Sequence, residues 1–255
     1  MEKETQYTIA ETFKLPSGGS AKIYGEAFDP VIKLKSMTIR DEMKRTSQNA
    51  TPHRNLCDII DGCLLTKLPY SAYDLCIGDY EYLLHKLRVV TYGPDYKMVV
   101  GCPHCTNVYE ATVNLDDLKV KEFNEEELAK CLKFTLPVCK KEIELRVQTP
   151  RIADAIEAKV KEIKTKDKVT YDPTALVTLQ QCIAFVDGMK LSYIEQENFI
   201  NQLGARDATF ILNKIQKATQ MIGLDTSLDV TCSSCGGDIK TYFRFGSEFF
   251  RPTND

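Results

Sequence analysis

Four of the ten cysteines in the chain form two Cys-x-x-Cys pairs, Cys102/Cys105 and Cys232/Cys235. Cysteine thiolates are preferred ligands of Zn²⁺, and structural sites bind four ligands tetrahedrally, with Zn–S distances of about 2.3 Å. Two residues between the cysteines let one tight turn direct both sulfurs to the same point, so each pair supplies half of a site. The spacing therefore predicts that all four cysteines bind one structural Zn²⁺ ion.

The residues around the two pairs fit turns of this kind. Gly101 precedes the first pair, and Gly236 and Gly237 follow the second, where the backbone must turn its amides toward sulfur. The pairs are separated by 126 residues, positions 106–231, so the intervening chain must bring its own ends together. His104 lies inside the first turn and is an alternative ligand in place of one cysteine.

Other states of these cysteines are weighed against zinc. A redox pair of the thioredoxin type lies at a strand-to-helix junction and has a lowered thiol pKa, whereas both pairs here lie between predicted strands. Two disulfides would be unusual in a reducing cytoplasm, and four free thiols would make the matching strand contexts a coincidence. We therefore expect zinc, and four thiolates leave no open position for a catalytic water.

Periodicity and capping residues predict the elements that position these turns. Short strands are predicted at residues 21–24 and 31–34, before helices that begin at Thr38, after Pro52 and at Asp79. Strands are predicted on both sides of each cysteine pair and at residues 134–136 and 143–147. Four helices are predicted between residues 149 and 223, with starts at Pro150, Asp172-Pro173, Ser192 and Asp207.

These elements predict an α+β fold in which zinc-ribbon-like β-hairpins, one for each cysteine pair, are interrupted by an inserted helical subdomain. Residues 1–148 form an α+β region with the first pair, and residues 149–223 form the insertion. Residues 224–255 carry the second pair and a closing strand, and they pack with residues 1–148.

Composition indicates a globular protein without a nucleic-acid or membrane role. The net charge is −3, whereas proteins that bind phosphate backbones usually carry a basic excess. No signal peptide is expected at the polar start, and no apolar run reaches the ~18 residues of a membrane helix. The three histidines are scattered, and we find no phosphate-binding loop, nucleophile elbow or His-Glu-x-x-His motif, so we expect no enzyme.

The C-terminal segment Phe249-Phe250-Arg251 is predicted to bind a neighbouring subunit. Two adjacent aromatic residues cannot both face inward on a strand, and arginine is frequent at protein interfaces. The alternative is that the segment folds back over the core of its own chain.

The order of several short sequence elements resembles the T4-like bacteriophage baseplate hub and hub-assembly protein family. The elements are Tyr24-Gly25, residues 31–34, Met37-Thr38, Asp79 with its helix through Leu87-Arg88, Tyr92-Gly93, Cys102-Pro103-x-Cys105, Val113-Asn114-Leu115, the helical insertion, the second cysteine pair and residues 247–252.

The resemblance implies a structural or assembly protein of the baseplate hub in a contractile-tail phage. Its implied partners are other hub and wedge proteins and the tape-measure protein, and its location is the virion tail, with assembly in the host cytoplasm. The alternative function is a zinc-ribbon protein associated with nucleic acid or transcription. A thiol oxidoreductase is a third interpretation of the cysteine pairs.

Overall fold

The fold is α+β, with short antiparallel sheets and helices. The computed structural model describes residues 9–46, 51–166, 170–243, 245 and 247–250. The strands are β1 (Ala10–Lys14), β2 (Val31–Lys35), β3 (Asp95–Gly101), β4 (Val108–Asn114), β5 (Lys133–Thr135), β6 (Glu142–Leu145), β7 (Ile183–Val186), β8 (Ser227–Thr231) and β9 (Asp238–Tyr242). The helices are α1 (Ala21–Tyr24), α2 (Ile39–Arg45), α3 (Pro52–Cys63), α4 (Ile77–Tyr92), α5 (Glu125–Leu132), α6 (Pro150–Lys166), α7 (Thr174–Cys182), α8 (Tyr193–Gln202) and α9 (Ala205–Gln220).

The first half of the chain is built around α3 and α4. The antiparallel pair β1–β2 packs against them, with Ile32 and Leu34 of β2 fully buried. Cys57 and Cys63 of α3 are both buried in this core, where they pack with its apolar side chains. In the described part of the chain, no helix has the length and apolar character needed to cross a bilayer.

Residues 21–24 were predicted to be a strand, and this is wrong: they form the short helix α1. The Ser20 side chain accepts a hydrogen bond from the Lys22 N–H, and Gly25 ends the helix with a φ of 85°. Only four residues lie between the preceding turn and this glycine. Local capping therefore outweighs the weak alternation of apolar side chains.

Helix α4 begins at Ile77, two residues before the predicted start at Asp79. Asp79 is fully buried, and it accepts hydrogen bonds from the Ser17 N–H at 2.9 Å and the Tyr24 hydroxyl at 2.6 Å. Burial nevertheless raises the pKa of this carboxyl group. The residue that resembles a helix cap is thus a buried acceptor that ties α4 to the N-terminal turns.

A second core lies around the three-stranded sheet β5-β6-β7. The predicted helices are present as α6 to α9, but the segment is not wholly helical, because β7 lies within it and pairs with β6. The run Ile183-Ala184-Phe185-Val186 is uniformly apolar, and such a run does not distinguish a buried strand from a helix. Asp207 does not start α9: the helix begins at Ala205, and the Asp207 carboxylate accepts from the Val138 and Cys139 amides.

Gly78 and Gly223 let the chain that leaves α9 pack closely against the start of α4. A Cβ atom on Gly78 would lie 2.5 Å from the Ile222 carbonyl oxygen, and Gly223 has a φ of 107°. Beyond this contact, the Asp225 N–H donates to the Lys119 carbonyl at 2.7 Å. The chain that leaves α9 therefore runs beside the chain that has just left β4.

Candidate metal centre

Two β-hairpins present the four predicted cysteines. β3 pairs with β4 and β8 pairs with β9, each antiparallel and each with a Cys-x-x-Cys turn at its tip. In the first turn the Cys102 N–H donates to the Asn107 carbonyl at 2.8 Å. In the second the Cys232 N–H donates to the Gly237 carbonyl at 2.9 Å. The two turns close with the same hydrogen-bond pattern, and both lie between strands.

The residue after each pair adopts the left-handed backbone conformation. Thr106 has a φ of 58° and Gly236 a φ of 71°, and their N–H groups donate to the carbonyls of Cys102 and Cys232. Glycine adopts this conformation without steric cost, which explains Gly236. Thr106 holds the same position with a β-branched side chain, a placement that the sequence pattern did not indicate.

The four sulfurs form a compact group. All lie within 4.8 Å of one another, and the Cys102–Cys235 and Cys105–Cys232 Sγ···Sγ distances are both 3.7 Å. A disulfide requires a separation of about 2.05 Å, so these contacts are not bonds. Four sulfurs tetrahedrally placed about 2.3 Å from one ion would lie about 3.8 Å apart. The group is therefore of the size and ligand type that a single soft metal ion requires.

Backbone amides polarise this group. The Cys235 and Ser234 amides donate to Cys232 and lower the pKa of its thiol to about 6. The Gly237 amide lowers the pKa of Cys235, but the neighbouring thiols, Cys105 first, raise it to about 12. Cys232 is thus the more acidic thiol of the second pair. A bound cation would favour the thiolate forms of its ligands, because a nearby opposite charge lowers a thiol pKa.

His104 lies beside the sulfur group without being one of its members. Its Nε2 atom is 3.2 Å from the Asp238 carbonyl oxygen, so the ring links the first turn to the second hairpin. The ring also explains the second glycine, because a Cβ atom on Gly237 would lie 2.7 Å from His104 Cδ2. Among the residues that the structure describes, the group that could bind a metal ion consists of the four cysteines.

A small apolar cluster packs against two of the four cysteines. Val100, Ala111 and Ile239 are buried with Cys102 and Cys232 in one cluster. The Tyr109 hydroxyl donates to the Thr231 carbonyl at 3.0 Å and joins the hairpins a second time. Cys102 and Cys232 are only 3% and 2% exposed, whereas Cys235 is exposed at the surface. Any ion at this centre would lie at the edge of the molecule, with two ligands held rigidly beneath it.

Phe249 and Phe250 lie in the core of the first half of the chain, with 1% and 3% exposure. They form a 3₁₀ turn and not a strand, so two adjacent rings can both be buried. This arrangement is the alternative to docking that the sequence left open, and Arg251 lies outside the described residues. The fully buried Arg88, which sequence reasoning missed, donates to the Phe249 carbonyl at 3.2 Å.

Comparison with known proteins assigns the chain to a family. No curated protein and no solved structure matches it. The family model described as T4 bacteriophage base plate protein matches residues 7–251, nearly the whole chain, and confirms the resemblance noted in the sequence. The chain therefore belongs to the T4 bacteriophage base plate protein family, whose members are structural proteins of the baseplate in the virion tail.

Proposed function

We propose that this baseplate protein is a structural or assembly subunit of the hub and that one Zn²⁺ ion stabilises its fold. The ligands are Cys102, Cys105, Cys232 and Cys235, and the protein acts through protein–protein contacts, without a catalytic role. The main support for the proposal is that four cysteine sulfurs lie within 4.8 Å of one another in a member of a baseplate protein family.

The zinc ion would form the centre of a zinc ribbon made from two distant hairpins. The matched hydrogen bonds of the two turns and the left-handed residue that follows each pair support this architecture. Structural zinc sites contribute an apparent binding free energy of about 10 kcal/mol or more, which is folding free energy where the site exists only in the folded state. The ion would therefore hold β8–β9 against β3–β4.

Exposed apolar side chains support a role in contacts with other baseplate proteins. Ile39 and Met43 lie on α2 with 76% and 68% exposure, and Tyr193 and Ile194 begin α8 with 61% and 69%. Large apolar side chains grouped in this way are often covered when a complex forms. We propose other hub and wedge proteins and the tape-measure protein as partners, which the chain would join in the host cytoplasm.

We also propose that the chain is organised as residues 1–148, an insertion at 149–223, and a C-terminal segment at 224–255 that packs with the first part. The packing of Leu224, Leu228 and Phe243 in the core of the first half supports the placement of this C-terminal segment. The insertion shares its sheet with the chain before it, since β6 pairs with β7. Its fold therefore depends on residues 133–145.

Metal content tests the proposed site directly. Native mass spectrometry of the reduced full chain should find one zinc per chain in the wild type and none in the Cys105→Ser and Cys235→Ser variants. Cys139→Ser is the matched control, because Cys139 is exposed and lies outside the sulfur group, and it should retain the ion. A metal-free wild type, or full zinc content in Cys235→Ser, would refute the site.

A further inference from the structure

The two hairpins expose backbone groups along the edges that face each other. In the β3–β4 ladder, the bonds from Cys102 to Asn107 and from Leu115 to Pro94 identify the hydrogen-bonded pairs. Such pairs alternate along an antiparallel ladder. The N–H and C=O groups of Glu110, Thr112 and Asn114 therefore point away from β3.

The same reasoning applies to the second hairpin. The bonds from Cys232 to Gly237 and from Phe243 to Thr226 identify its hydrogen-bonded pairs. The backbone groups of the alternate residues on β8, including Asp229, point away from β9. Strands β4 and β8 are therefore edges with outward backbone groups, and residues of both line one groove.

A groove of about 550 Å³ separates these two edges. Thr112, Val113 and Asn114 line one side, and residues 227–231 line the other. Within the described ranges, β4 and β8 share no strand pairing or bridge. On β8 the outward Ser227 N–H donates to the Asp225 carboxylate and the Thr231 carbonyl accepts from Tyr109, so the outward groups of Asp229 and of β4 are the ones that a ligand strand would use. The Tyr109–Thr231 hydrogen bond closes the groove at the end nearest the cysteines. The sulfur group and this bond fix the spacing of the two edges.

The shape and the charge of the groove define what fits it. Unpaired strand edges bind extended polypeptide through main-chain hydrogen bonds, as in β-strand addition. Each edge is about five residues long, which corresponds to roughly 17 Å of extended chain. Two carboxylates, Asp117 and Asp229, line the groove, and no lysine or arginine is among its lining residues. The complementary ligand is an extended segment that carries basic side chains.

We propose that the groove between β4 and β8 binds an extended, basic segment of another baseplate protein, which becomes the central strand of a five-stranded sheet. The segment would pair antiparallel to one edge and parallel to the other, because β4 leaves its cysteine turn while β8 enters its own. This inference deepens the proposed function and rests on it in one respect: the zinc-linked hairpins must hold the groove open.

Proline substitution tests strand addition without removing a hydrogen bond of either hairpin ladder. Thr112 and Val99 both occupy non-hydrogen-bonded positions of the β3–β4 ladder, so proline removes an outward N–H from opposite edges of one hairpin. Val99 is 71% exposed on the edge away from the groove and gives the matched control. Thr112→Pro should reduce incorporation of the full chain into purified phage tails at least tenfold, and Val99→Pro should change it less than twofold.

Charge reversal gives an independent variant pair. Asp229→Lys places a cation in the groove and should reduce incorporation, whereas Asp238→Lys alters an exposed strand residue outside the groove lining and should not. Equal incorporation of Thr112→Pro and Val99→Pro, or of the two charge variants, would overturn the proposal. Zinc content should be measured on every variant, so that loss of groove binding can be distinguished from loss of the metal. A variant that loses groove binding and retains zinc leaves the proposed metal site intact.

Hydrogen–deuterium exchange of the wild-type chain covers the case in which Thr112→Pro fails to fold. The Thr112 and Asp229 amides should exchange rapidly in the free chain and be protected in purified baseplates, while the Val99 amide should be equally exposed in both. Equal exchange of Thr112 in the two states would contradict the proposal. Protection of Thr112 in a dimer of the free chain would also contradict it, because the ligand would then be a second copy.

Discussion

At the scale of single residues, buried polar side chains hold segments together where the sequence showed no motif. Arg88 binds the Phe249, Gly93 and Asp95 carbonyls, and so joins the C-terminal turn to the start of β3. His85 is fully buried, and its Nε2 atom lies 2.9 Å from the Leu115 carbonyl at the end of β4. Both residues lie on α4, so this helix positions the first cysteine-bearing hairpin.

His85 makes stability depend on pH. Burial lowers the pKa of its imidazole from 6.5 to about 4. Between these values the unfolded chain binds a proton that the folded chain does not, so the stability present above pH 6.5 is lost as the pH falls toward 4. The loss from this group is about 3 kcal/mol.

Urea unfolding at pH 7 and pH 4 measures this contribution. His85→Gln retains an N–H donor for the Leu115 carbonyl and should lose about 3 kcal/mol less than the wild type over the same interval. Acid loss of metal affects both proteins and cancels in the difference. Parallel pH profiles for the two proteins would show that His85 is not kept neutral by its burial.

At the scale of elements, the sequence predicted those parts whose signals are local. The capping boxes at Thr38 and Ser192, the proline that begins α6 and the turns between β3–β4 and β8–β9 all have fixed spacings, and the structure contains each of them. Strand β7 was missed because an apolar run of four residues lacks a period, and helix α1 because its capping by Ser20 and Gly25 outweighs the weak alternation of its side chains. The partner of β7 lies some 40 positions earlier, in β6, and no local pattern encodes that pairing.

The contact between α4 and the chain that follows α9 should be sensitive to a single methyl group. Gly78→Ala would place Cβ 2.5 Å from the Ile222 carbonyl oxygen, which is backbone and cannot rotate away. We expect it to lower the free energy of unfolding by roughly 1–3 kcal/mol, as overpacked positions do. Thermal unfolding by circular dichroism measures the effect.

Gly62→Ala is the matched control for this substitution. Gly62 is also helical, in α3, and nothing lies within 4 Å of an added Cβ. Alanine there should be neutral or stabilise the protein by about 0.5–1 kcal/mol, because glycine is the poorer helix former. Equal effects of the two substitutions would show that α4 and residue 222 are not packed closely.

At the scale of the whole molecule, the fold brings together the sulfurs of two cysteine pairs that have 126 residues between them in the sequence. The cysteine types and spacing predicted the members of the group, and the structure brings those four together. What the sequence could not supply is the closure of the insertion by Gly78 and Gly223, or the groove between the two hairpins. Both depend on packing between segments that are remote in the chain.

Removal of metal should loosen the hairpins and leave the two cores folded. The cores around α3–α4 and β5-β6-β7 do not include the four cysteines, and most of their packing involves residues outside the two hairpins. After treatment with a chelator and a reductant, amides of β3, β4, β8 and β9 should lose protection from hydrogen–deuterium exchange. Amides of α4 and α9 should keep theirs. Unchanged protection of the hairpins, or loss of protection throughout, would contradict a local structural role.

Zinc K-edge X-ray absorption of the full chain, loaded with one equivalent of Zn²⁺ under reducing conditions, tests the proposed centre most directly. The expected spectrum has four sulfur neighbours at about 2.3 Å and no nitrogen or oxygen neighbour. A nitrogen neighbour would assign His104 as a ligand in place of a cysteine. Fewer than four sulfurs, or no bound zinc, would contradict a site made from all four cysteines.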